Sequence, residues 1–192
     1  MTRSLAHALA MLSLITCTVL TGCTSSAYLR EQDAPTPAEI AHAEAQMRKL
    51  PSLEDTHHQL TLIVQQIADA AESIAPELTW ERLIRHAQSP LNCRDAYRET
   101  DGTSKTTDTW YSEVEISDAA WPRIIDRARQ IAAESGMTVF TVLVDEPGDH
   151  DIILHSPDHG NEVRIGTRLA ATVNGITGCR YRAEDLHPRP HP

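Results

Sequence analysis

The chain has 192 residues, 41% of them apolar and 23% charged, which supports one packed domain with extensions and excludes wholesale disorder. Seventeen Lys and Arg stand against 27 Asp and Glu, a formal net charge of −10. A surplus of that sign repels phosphate backbones, so nucleic acid is not an expected partner.

The N-terminus reads as an export address rather than as part of a fold. Arg3 supplies a short positive start, and an apolar stretch runs from Leu5 to Leu20. That stretch is about 16 residues, or roughly 24 Å as a helix, short for a hydrocarbon core of about 30 Å. The alternative is an uncleaved signal anchor, but Thr24-Ser25-Ser26 follows with no stop-transfer charges. Leu20-Thr21-Gly22-Cys23 resembles a bacterial lipobox. This resemblance implies removal of residues 1–22, thioether lipidation of Cys23 and acylation of the new amino terminus. Two or more acyl chains hold a protein on a membrane where a single chain would exchange. The expected location is the extracytoplasmic face of the cell membrane, with the membrane itself as the partner of Cys23.

Residues 23–36 are rich in Ser, Pro and charge and lack apolar periodicity, as a flexible tether would. Such a tether reaches on the order of 20 Å. Residues 183–192 carry Pro188, Pro190 and Pro192 and read as a solvated tail. A single domain is expected between them, over residues 37–182.

Three helices are predicted in chain order. Thr36-Pro37-Ala38-Glu39 is a capping box with Pro in the first turn, opening a peripheral helix to about Leu50. From about Leu53 to Ile74, the residues Leu60, Ile63, Val64, Ile67, Ala68, Ala71 and Ile74 recur at helical spacing, and Pro76 ends the run. The third follows Ser117-Asp118 to about Ser135, with Trp121, Ile124, Ile125, Ala128, Ile131 and Ala132 on one face and Gly136 as its stop.

Strands are predicted for the rest. Residues 110–116 alternate, with Trp110, Val114 and Ile116 together, while residues 78–83 alternate less well. Residues 138–144 are apolar on both faces, as a central strand would be. Residues 151–155 follow a turn, and residues 162–173 read as one long strand with Val163, Ile165, Leu169, Ala171 and Val173 inward. Asn174-Gly175 then suggests a type I′ hairpin into residues 176–182. The expected fold is α+β, a mainly antiparallel sheet with the two long helices packed on one face. Trp80, Trp110 and Trp121 are expected in the core.

Cys93 and Cys179 are the cysteines left after export, and an even pair in an oxidising compartment reads as a disulfide. Two free thiols are the alternative. The densest group of possible metal ligands is Asp149-His150-Asp151, His155 and Asp158-His159. His150 and His155 are five apart on a strand, however, and so face opposite ways. The bland reading, a solvated hairpin, is preferred, so no metal and no cofactor is expected. Arg164 and Arg168 share a strand face where they could hold a carboxylate or phosphate, although such a pair is more often the wet side of a sheet. The polar stretch 98–108 is the expected place for partner contacts or disorder.

The chain has no GxSxG, HExxH, GxxxxGK[ST] or GxGxxG motif, so enzyme readings are weakened. It resembles the mycobacterial LppA-type lipoproteins of actinobacterial cell envelopes, through the lipobox LTGC, residues 67–80, Cys93, residues 116–138 and residues 171–179. The family carries cysteines at the places of Cys93 and Cys179, which implies that the two are bridged. None of these segments is a catalytic motif, and the resemblance implies a location and a fold rather than an activity. The expectation is a non-enzymatic, lipid-anchored envelope module that binds an unknown envelope protein or small ligand. The alternative is a small-molecule or lipid carrier with a pocket between helices and sheet.

Overall fold

Thr36 opens the first helix through a reciprocal cap: its hydroxyl accepts from the Glu39 N–H at 3.3 Å, and the Glu39 carboxylate accepts from the Thr36 N–H at 2.7 Å. These contacts come from a computed structural model that describes residues 34–84, 91–158 and 160–186. Cys23, residues 1–22, most of the tether, His159 and the proline-bearing end of the tail lie outside the described residues.

Helix α1 (Pro37–Met47) buries only Ala43 and Met47, a narrow stripe that suits a peripheral helix. Helix α2 (Leu53–Ile74) is capped by Ser52, whose hydroxyl accepts from the Asp55 N–H at 3.1 Å. Then come β1 (Glu81–Leu83), β2 (Leu91–Asn92), a 3-10 turn at Asp95–Glu99, β3 (Thr103–Ser104) and β4 (Thr109–Ser112). Helix α3 (Trp121–Ala133) follows, and Gly136 closes its C-terminal end at φ 80°. Strands β5 (Val139–Glu146), β6 (Asp149–His155), β7 (Glu162–Thr167) and β8 (Ala171–Ile176) complete the sheet, and α4 (Ala183–Leu186) is a single turn.

The main sheet has six antiparallel strands in the order β1-β4-β8-β7-β6-β5. Its inner face presents Ile152, Leu154, Val163, Ile165, Ala171 and Val173, which form one core with the apolar faces of α2 and α3. Burying a large side chain there is worth about 1.5–3 kcal/mol each before the entropy of ordering is set against it. The predicted α+β architecture, with both long helices on one side of an antiparallel sheet, is the one observed. Trp121 belongs to this core, and Trp80 and Trp110 pack against its edge.

Several local expectations are corrected. The hairpin between β7 and β8 turns at residues 168–170, where the Arg168 N–H reaches the Ala170 carbonyl at 3.2 Å. Asn174-Gly175 is therefore inside β8, and Leu169 is at the tip, 86% exposed, instead of in the core. The physical reason is helix packing: Gly175 opposes Leu60 of α2, which needs a residue without a side chain at that point. Strand β5 is not central but an edge, and Val142 and Leu143 are about half exposed. An extra residue, Leu143, bulges between the paired positions Val142 and Val144. The strand predicted to reach Ile116 stops at Ser112, after which the Ile116 N–H bonds to the Thr167 hydroxyl at 2.8 Å. Ile116 is buried as expected, but Val114 is exposed.

The stretch 98–108 is ordered rather than loose. After the 3-10 turn, its residues 103–107 run antiparallel beside the end of β8 and the segment that follows it, with bridges Thr103–Arg180 and Thr106–Ile176. The Lys105 carbonyl accepts from the Thr177 N–H, and the Thr177 hydroxyl accepts from the Lys105 N–H, both at 2.9 Å. The first four residues of the expected tail form α4, tied to α2 by the Ala183 N–H on the Glu54 carboxylate at 2.9 Å.

Candidate functional site

One face of the sheet is filled by helices, so the residues free to meet a ligand are those pointing the other way. Strand alternation selects them. Across the middle strands, one row reads Tyr111, Thr172, Gly166 and Asp151, each paired with the next. The neighbouring row holds Asn174, Arg164 and Ile153. Gly166 contributes no side chain, and the face is hollowed there into a pit of about 310 Å³. Its walls include Asp149, Asp151, Arg164, Arg168, Thr172 and Asn174.

The charges in this pit are already compensated. The Arg164 guanidinium donates from Nε to both Asp151 oxygens at 2.8 and 3.1 Å, and from Nη2 to Oδ2. That hydrogen bonding holds Arg164 above its ordinary pKa range. Arg168, at the hairpin tip, lies 3.6 Å from Asp149. Both arginines are more than half exposed, so each pair is worth little to stability while remaining reachable by a ligand. Among the described residues, no hydrogen bond engages the Thr172 hydroxyl or the Asn174 side-chain amide. The two arginines are thus together on one face, as their spacing suggested. Their aspartate partners and the glycine floor were not foreseen.

The histidines behave differently. His150 turns to the helix side, stacked on Trp121 with ring centroids 4.8 Å apart. Its Nδ1 lies 2.8 Å from Asp145 and its Nε2 2.9 Å from Asp118. The Gly148 N–H, and then His150, hold the Asp118 carboxyl below its ordinary value. His155 points to the other side, bonded to the Thr141 hydroxyl at 3.2 Å and the Ser156 carbonyl at 2.9 Å. The two rings therefore do not converge. Among the described residues, no group of three or more His, Cys, Asp or Glu is arranged to hold a metal ion.

Cys93 and Cys179 are joined by a disulfide, with their Cα atoms 5.8 Å apart. The bond ties the segment after β2 to the segment after β8. Beside it Arg180 is buried, donating to the Cys179 carbonyl at 2.8 Å. Burial lowers its pKa, and the nearby Asp158 carboxylate works in the opposite direction.

A second cleft, about 380 Å³, opens between α3 and the edge strand β5. Met137, Phe140 and Leu154 give it apolar walls, and Asp126, Arg129 and Gln130 rim it. The Arg129 guanidinium lies 4.9 Å above the Phe140 ring. Among the described residues, no helix is long and apolar enough to cross a membrane.

Comparison with known proteins gives the following. The family LppA, described as a lipoprotein confined to pathogenic Mycobacterium, matches residues 29–183. The crystal structure of LppA from Mycobacterium tuberculosis, described as a lipoprotein, superposes with a TM-score of 0.63 at 20% identity, covering 81% of this chain and 94% of that one. A DUF4853 family protein from Actinomyces odontolyticus gives a TM-score of 0.35 at 13% identity, over 69% of this chain and 76% of that one. No curated protein matches.

Proposed function

The chain belongs to the LppA family of lipoproteins, and from that premise we propose that it is a lipid-anchored, non-catalytic binding module of the cell envelope, with the outer-face pit as its ligand site. Cys23 carries the anchor in this reading, and residues 24–36 hold the domain off the extracytoplasmic face of the membrane. The observation that carries the binding role is the uncovered outer sheet face. There, two arginine–aspartate pairs, a threonine and an asparagine surround a floor left open by Gly166. Binding rather than catalysis is supported by the chain's lack of compact catalytic motifs and by His150, whose ring is stacked on Trp121 and held between two carboxylates.

The test is to titrate the isotopically labelled full chain with polar and lipid fractions of the envelope while following backbone amides. Saturable shifts centred on Asp151, Gly166, Thr172 and Asn174 support the reading, and shifts confined elsewhere sink it. Anchoring is tested separately. Cys23→Ala moves the protein out of the membrane fraction, and persistence there removes the lipid anchor from the account.

The carrier reading retains one specific support, the apolar-walled cleft between α3 and β5. Shifts centred on Phe140 and Met137 with the lipid fraction would favour it.

A further inference from the structure

We propose that the outer-face pit recognises a neutral, hydroxyl-rich ligand, a sugar residue of a glycan; this rests on the binding role assigned to that face. Gly166 is the first argument. Its φ lies outside the left-handed region, so the backbone there does not require glycine. Nor does space within the fold. A Cβ at Gly166 would meet Asp151 Oδ1 at 3.5 Å and Thr172 Oγ1 at 3.6 Å, which is ordinary contact. A glycine inside a strand weakens it relative to alanine. What this one gives in return is a flat, open floor between polar walls.

Charge is the second argument. Each arginine in the pit already faces an aspartate. A phosphate or carboxylate would have to displace those aspartates from the guanidinium groups or sit beside them against like charge. A neutral ligand displaces nothing. Side by side, a carboxylate and a guanidinium offer an acceptor and a donor edge, the arrangement that two adjacent hydroxyls of a sugar ring can satisfy together. The Thr172 hydroxyl and the Asn174 amide each supply a further donor and acceptor not engaged among the described residues. Tyr111 stands next to Thr172 in the same cross-strand row, where an aromatic side chain can border a ring. A volume of about 310 Å³ suits one or two sugar rings rather than a polymer segment.

The experiment uses the full chain in a detergent without a sugar headgroup. Its amides are followed against neutral gluco-, manno-, galacto- and arabino-oligosaccharides, and against inorganic phosphate and citrate. The expected result is saturable movement of Asp151, Gly166, Thr172 and Asn174 with at least one neutral oligosaccharide. Gly166→Leu, which fills the floor, then weakens that binding by about tenfold or more. Gly166→Ala guards against a folding defect: its methyl group fits without a clash, and the variant melts no lower than wild type while weakening binding. Movement of the same amides with phosphate or citrate but no neutral sugar overturns the sugar assignment and leaves the binding site standing. Sugar binding that Gly166→Leu does not affect overturns the site. No movement with any probe at tens of millimolar overturns the proposal, and the envelope-fraction titration then decides the broader reading alone.

Discussion

Gly175 of β8 lies directly beneath Leu60 of α2: a Cβ at the glycine would fall 3.0 Å from both Cγ and Cδ2 of the leucine. Leu60 is fully buried, so it has little room to yield. Gly175→Val is therefore expected to destabilise the domain by about 1–3 kcal/mol through overpacking. Leu60→Ala alone should cost about 2–5 kcal/mol. Combined, the two should be less damaging than their sum, because the valine enters the space that the leucine leaves. Urea unfolding of the two single variants and the double variant measures this, and strict additivity would disprove the contact.

Leu169 makes the opposite case. At the β7–β8 tip it is exposed, so Leu169→Asn should leave stability within about 0.5 kcal/mol of wild type. The same change at Val173, fully buried in the inner face, should be severely destabilising. Thermal melts showing Leu169→Asn to be as damaging as Val173→Asn would restore the long-strand register, which turns both residues inward.

The disulfide closes a separation of 86 residues. On the chain-entropy account, such a link constrains the unfolded chain by up to roughly 4–5 kcal/mol. Replacing Cys93 and Cys179 together by serine should lower the denaturant midpoint, and reductant should lower it for wild type but not for the double variant. A midpoint indifferent to reductant would show that the bond contributes nothing.

Acid should weaken the fold in two separate windows. Burial, the largest influence, holds His57 below its ordinary 6.5, so the folded state resists its protonation. Stability linked to His57 is complete above about pH 6.5 and declines as pH falls from there toward the lowered folded value. Asp118 is held below its ordinary 3.8 by the Gly148 N–H and by His150. Its contribution is present above that value and is lost as pH drops through the lowered one. Melting temperatures across about pH 2–7 should show both declines. His57→Gln removes the upper one, and Asp118→Asn shrinks the lower, to which Glu39 and Asp158, also held below their ordinary values, contribute as well; a variant curve parallel to wild type would contradict the corresponding assignment.

Where a single element carried its own signal, the sequence was readable. The face Leu60, Ile63, Val64, Ile67 and Ala71 defined α2, and Thr36 with Glu39 located the start of α1. Errors arose where a local signal met a distant constraint. Asn174-Gly175 carries hairpin chemistry, yet Leu60 claims Gly175 for close packing, so the chain turns earlier. Residues 138–144 are apolar enough for a central strand, but nothing in that pattern reports which side lacks a neighbour. The pit was only half legible. Alternation put Arg164 and Arg168 on one side, whereas joining them to Asp149, Asp151 and Thr172 required the register of three strands.

The two borders of the sheet are unlike its middle. One border is β1, only three residues long, and the other is β5, interrupted at Leu143. Neither offers a second copy a long, regular line of backbone donors and acceptors. If the domain is anchored as proposed, neighbours confined to a two-dimensional support meet often, and that irregularity works against edge-to-edge pairing while leaving the polar surface between the borders open.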